Sequence, residues 1–87
     1  MSIKVLIADD DSTHRELLFN MLTRAGYLVV TASNGAEAIL QALAHHPDLA
    51  ILDVEMPQKN GFEVCHELRG NVRARYIPIL FLTGRAA

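Results

Sequence analysis

An α/β fold, with an open parallel sheet and helices on both faces, is predicted by three features of the 87-residue chain. Nearly continuous apolar runs lie at residues 3–8, 27–32, 49–53 and 77–83, and runs of this kind suit strands buried on both faces. The segments between them carry helical spacing of apolar residues. The resulting order, β-α-β-α-β-α-β, requires right-handed crossovers and hence a parallel sheet.

Each element has its own signals. The first run closes on Ala8 and passes into three consecutive acids, Asp9, Asp10 and Asp11. Over 12–25, Leu17, Leu18, Met21, Leu22 and Ala25 fall on one helical face. Asp11 or Ser12 is the predicted N-cap, and Gly26 stands where a terminating glycine belongs. A second strand over 27–32 leads to a helix over 34–45, with Ala36, Ile39, Leu40 and Leu43 on one face and His45, His46 and Pro47 as its stop. The third strand ends in Asp53. The spacing of Phe62, Cys65 and Leu68 predicts a third, shorter helix over 61–69. The fourth strand, 77–83, ends at Thr83-Gly84. Left at an edge, it would present apolar side chains and unpaired backbone groups.

Composition narrows the function classes. An apolar fraction of 51% with a net charge of −2 excludes a disordered tail. Eight basic against ten acidic residues argue against a nucleic-acid-coating surface. The apolar runs fall far short of the ~20 residues of a membrane span, and the acids at 9–11 interrupt any secretory signal. Cys65 is a single cysteine, which excludes an internal disulfide. A cytoplasmic, soluble domain with no membrane partner is expected.

In open parallel sheets, sites form beyond the carboxyl ends of the strands. In a flavodoxin-like strand order, 2-1-3-4-5, the first and third strands are neighbours, so Asp9, Asp10 and Asp53 converge at the topological switch point. Carboxylates about 4 Å apart repel by roughly 4 kcal/mol per pair at an effective dielectric near 20. A cation or a shared proton must offset this. Oxygen ligands on a partly open shelf suit Mg²⁺. Asp11 is better read as a helix cap.

The segment Ile7-Ala8-Asp9-Asp10-Asp11-Ser12 with Arg15, the segment from Pro47 to Pro57 around Asp53, Gly61 and Leu68-Arg69, and Ile77-Pro78-Ile79-Leu80-Phe81-Leu82-Thr83-Gly84 occur in order along the chain. Together they resemble the receiver domain of two-component response regulators. That resemblance implies a flavodoxin-like (CheY-like) doubly wound sheet, here lacking the fourth helix, fifth strand and fifth helix, so that 1–87 would be the N-terminal part of a single receiver domain. It implies that Asp53 accepts a phosphoryl group from a phosphohistidine on a sensor histidine kinase or phosphotransfer protein. Asp10, Asp53 and the backbone carbonyl of Glu55 would ligate Mg²⁺, with Asp9 holding metal-bound water or completing the acidic shell and Thr83 hydrogen-bonding the phosphoryl group. The expected role is signalling, not the turnover of a metabolic enzyme. The family's fifth-strand lysine has no counterpart, and Lys59 is not assigned its role.

Two other functions compete with this one. A Mg²⁺-dependent phosphohydrolase needs a second aspartate two positions past the nucleophile, where this chain has Glu55. The other is a non-catalytic interaction or dimerisation module, with a homo-oligomer formed through the exposed fourth-strand edge. Of the remaining residues, His14, His45, His46 and His66 read as surface or helix-end groups. Cys65 reads as a small core residue, and Arg69, Arg73, Arg75 and Arg85 as a solvated face.

Overall fold

The structure, a computed structural model, describes residues 2–82. Its elements run β1 (Lys4–Ala8), α1 (Ser12–Arg24), β2 (Leu28–Ala32), α2 (Gly35–His45), β3 (Leu49–Asp53), α3 (Gly61–Arg69) and β4 (Ile79–Leu82). All strand pairs are parallel, in the order β2-β1-β3-β4. The doubly wound architecture expected from the alternating pattern is therefore present. The fourth strand starts later than its apolar run, because Ile77 closes a turn onto Ala74. Thr83, its expected last residue, lies outside the described residues.

Alternation along the strands divides the core into two layers. Leu6, Ala8, Ala32, Ala50 and Leu52 pack beneath α2 and α3 with Ala38, Ala42, Val64 and Leu68. Val5, Ile7 and Ile51 lie on the opposite face, against Leu18 and Leu22 of α1. The largest fully buried side chains include Leu6, Ile7, Leu52 and Leu68, each contributing about 1.5–3 kcal/mol through burial. Strand register places the site. Ala8 is opposite Leu52, so Asp9 and Asp53, one step further along each chain, emerge side by side.

Position in the sheet corrects the expectation that all four strands are buried on both faces, and agrees with an exposed edge at the fourth. The central strands β1 and β3 are buried, whereas β2 and β4 are its outer strands and expose Leu28, Leu80 and Phe81. Helix faces are corrected as well. On α1, Leu17 and Met21 are exposed and the inward stripe is Leu18 and Leu22; on α2, Leu40 is exposed while Ala38 and Ala42 are fully buried. On α3, Phe62 is exposed and Val64 takes the inward place, leaving Cys65 half-buried. On α2 and α3 the inward residues are small or β-branched, Ala38, Ala42 and Val64, which permits closer approach to the sheet.

The helix ends are satisfied locally. Asp11, not Ser12, caps α1, its Oδ1 accepting from the amides of Thr13 at 2.9 Å and His14 at 3.3 Å. Gly26, at φ +97°, follows α1 in the left-handed region that favours glycine. Asn34 caps α2, and Asn60 with Glu63 forms a reciprocal capping box on α3. The Arg69 guanidinium donates to the carbonyls of Arg75 and Ile77, both at 2.8 Å, and so secures the connection into β4. That side chain has a specific task within the expected solvated basic face.

Candidate functional site

The site lies at the carboxyl ends of β1 and β3. Asp9 follows β1 and continues its ladder, its amide donating to the Ala32 carbonyl at 3.1 Å. The Asp9 carbonyl accepts from Arg15 Nη1 at 2.7 Å, so the first turn of α1 clamps the loop that carries the acids. Asp9 Oδ1 accepts from the Asp11 amide at 2.9 Å. Asp9 Oδ2 lies 3.6 Å from His14 Nδ1, a contact that becomes an ion pair only when the imidazole is protonated. His14 is solvent-facing as expected, yet it reaches the acidic cluster.

Asp9 and Asp53 are buried and Asp10 is exposed; each offers one carboxylate oxygen within 4.8 Å of those of the other two. Among the described residues, no lysine or arginine side chain forms an ion pair with any of the three. Burial is the main cause that raises the Asp53 carboxyl above its ordinary value. The Glu55 amide, donating to Asp53 Oδ1 at 3.2 Å, opposes that shift, while Asp9 and then Asp10 add to it. Three crowded oxygens that, among the described residues, lack a lysine or arginine ion pair, one of them on an open side, form a donor set that fits a hard divalent cation such as Mg²⁺. Bound there, the ion would offset the mutual repulsion of the three carboxylates.

The loop after Asp53 is tightly held. Met56 is buried, Gln58 takes a left-handed conformation at φ 70°, and the Gly61 amide donates to the Val54 carbonyl at 3.0 Å. The bare Gly61 Cα permits this approach, since an added Cβ would lie 2.5 Å from the Asp53 carbonyl oxygen. Lys59 turns away, its ammonium 2.6 Å from Glu67 Oε1. The fold thus brings Asp9, Asp10 and Asp53 together and places Glu55 beside them through its backbone. The Arg15 clamp and the glycine contacts were not foreseen from the sequence. In the sequence, Arg15 stands only as part of the acidic segment that carries the family resemblance, about one helical turn past the acids.

Comparison with known proteins places this geometry in a family. The family described as "Response regulator receiver domain" matches residues 5–87, and the chain belongs to it. The chain is 44% identical over 85 residues to the response regulator MprA of Mycobacterium tuberculosis, covering 98% of this chain and 36% of that protein. Among solved structures, the chemotaxis response regulator CheY4 of Vibrio cholerae matches with a TM-score of 0.93 and 37% identity, over 100% of this chain and 72% of the other. The receiver domain of sensor histidine kinase PA1611 from Pseudomonas aeruginosa, described with a magnesium ion coordinated in its active site cleft, matches with a TM-score of 0.92 and 26% identity, over 99% of this chain and 70% of the other. The chain spans about a third of the length of the curated relatives it matches. Receiver domains are signalling modules, not metabolic enzymes. Among the described residues, no helix is long and apolar enough to cross a membrane.

Proposed function

We propose that this chain is a phosphoacceptor, with Asp53 taking a phosphoryl group from a phosphohistidine of a histidine kinase or phosphotransfer protein in a Mg²⁺-dependent step. The observation that carries the proposal is the cluster of Asp9, Asp10 and Asp53 at the strand ends, lacking any lysine or arginine ion pair among the described residues. An Asp53 carboxylate oxygen attacks phosphorus, the P–N bond to the donor imidazole breaks, and the departing imidazole keeps the electron pair. The product is an acyl phosphate on Asp53. Catalysis of this transfer is mostly positioning and charge neutralisation.

Asp10, Asp53 and the Glu55 carbonyl would hold Mg²⁺, which when bound supplies positive charge for the transferring phosphoryl oxygens. Asp9 sits in a fixed network and completes the acidic shell. The Glu55 amide orients the Asp53 carboxylate, and Thr83 is assigned the hydrogen bond to a phosphoryl oxygen. The exposed β4 edge supports association of the 87-residue chain with a second copy. A clean monomer at micromolar concentration, read by sedimentation, would overturn that association.

Intact mass after incubation with Mg²⁺ and acetyl phosphate tests the central proposal. One added phosphoryl group is expected, abolished by chelator and by Asp53→Asn. A folded sample that takes up nothing overturns it.

A further inference from the structure

We propose that Gly35, the first residue of α2, is a positioning residue for the metal-facing loop between β3 and α3. An added Cβ there would lie 2.0 Å from the Lys59 carbonyl oxygen and 2.6 Å from both the Lys59 carbonyl carbon and Cβ. The loop backbone therefore occupies the space where any other residue would carry its side chain. The Gly35 amide also faces the Pro57 carbonyl at 3.4 Å, and the Lys59 amide folds back onto that same carbonyl at 2.8 Å.

Both sides of this contact are anchored. On the α2 side, Asn34 accepts from the Glu37 amide at 2.8 Å and Glu37 accepts from the Ser33 amide at 2.6 Å, which fixes the first turn. Further along the same face, Ala38 and Ala42 are fully buried. On the loop side, Met56 is buried in the core, and Gly61 is tied to Val54 and lies against the Asp53 carbonyl. The loop between these anchors begins with Glu55, whose amide holds Asp53 Oδ1. Alanine is the better helix former, so local propensity does not account for glycine at this position; the close backbone approach does.

A side chain at 35 would push the Lys59 peptide outward and drag the segment that starts at Glu55. This inference rests on the proposed role of Asp53 and Glu55 at a Mg²⁺ site. Support of this kind from outside the ligand set typically changes metal affinity by about 10–100-fold.

The test uses ¹⁵N-labelled chain, with Mg²⁺ titrated into the unsubstituted protein, Gly35→Ala, Lys59→Gly and the double variant, and phosphoryl uptake from acetyl phosphate followed in parallel. In Gly35→Ala without metal, the Glu55 amide resonance is expected to shift while helix content is retained, and Mg²⁺ binding to weaken at least tenfold. Lys59→Gly removes the Cβ contact but keeps the carbonyl oxygen, the nearest atom, so the double variant should still bind Mg²⁺ at least tenfold more weakly than Lys59→Gly alone. Gly35→Ala binding Mg²⁺ within twofold of the unsubstituted chain, or the double variant binding it within twofold of Lys59→Gly, overturns the role of Gly35. Failure of the unsubstituted chain to bind Mg²⁺ or take up phosphate would instead overturn the phosphoacceptor proposal, which keeps the two failures distinct.

Discussion

The Asp53 carboxyl is held above its ordinary value first by burial and then by its acidic neighbours. Its stability contribution follows from linkage. Between the ordinary and the raised value, the folded chain keeps a proton that the unfolded chain has released. Stability from this group therefore falls as pH rises through that window, and the loss is complete above it. Asp53→Asn removes the ionising group, so the metal-free variant should melt higher than the unsubstituted chain at neutral pH. The gap should close as pH falls toward the ordinary carboxylate value. Parallel melting curves across that range would contradict this account of Asp53.

At the level of the element, α1 is the most lightly anchored helix, with none of its residues buried. Its N-cap accordingly matters more than usual. Asp11→Ala should cost about 1 kcal/mol of unfolding free energy in urea titration, with phosphoryl uptake retained, because Asp9 receives the Asp11 backbone amide and not its side chain. The inward stripe can be tested on the same helix. Leu22→Ala should cost about 1–2 kcal/mol, since Leu22 packs on the Val5, Ile7 and Ile51 layer. Leu17→Ala should stay within about 0.5 kcal/mol, since Leu17 is 58% exposed. Equal costs at 17 and 22 would refute the assigned face.

For the whole molecule, the site and the core are coupled through β1 and β3, the two central strands. Leu52 is fully buried and immediately precedes Asp53, so Leu52→Ala should cost about 2–5 kcal/mol in denaturant titration. Mg²⁺ at a hundred times its dissociation constant should add about 2.7 kcal/mol by mass action. Asp53→Asn should forfeit most of that gain while leaving the metal-free chain folded. A Mg²⁺ effect of equal size in both chains would place the ion elsewhere.

The strands, their order and the convergence of Asp9, Asp10 and Asp53 were legible in the sequence. A parallel β-α-β alternation has few topologies, and residues that end adjacent strands must meet. The caps at Asn34 and Asn60 and the turn at Gly26 are local chemistry, and local sequence determines them. Tertiary structure alone decided which helical stripe faces inward. Periodicity defines several overlapping faces, and only the distance to the sheet selects Ala38 over Leu40 or Val64 over Phe62. It also decided that Gly35 and Gly61 stand against the loop that follows Asp53. Contacts between residues 24 positions apart leave no periodic trace, because a glycine that makes room for a distant backbone looks the same in sequence as one that merely turns the chain.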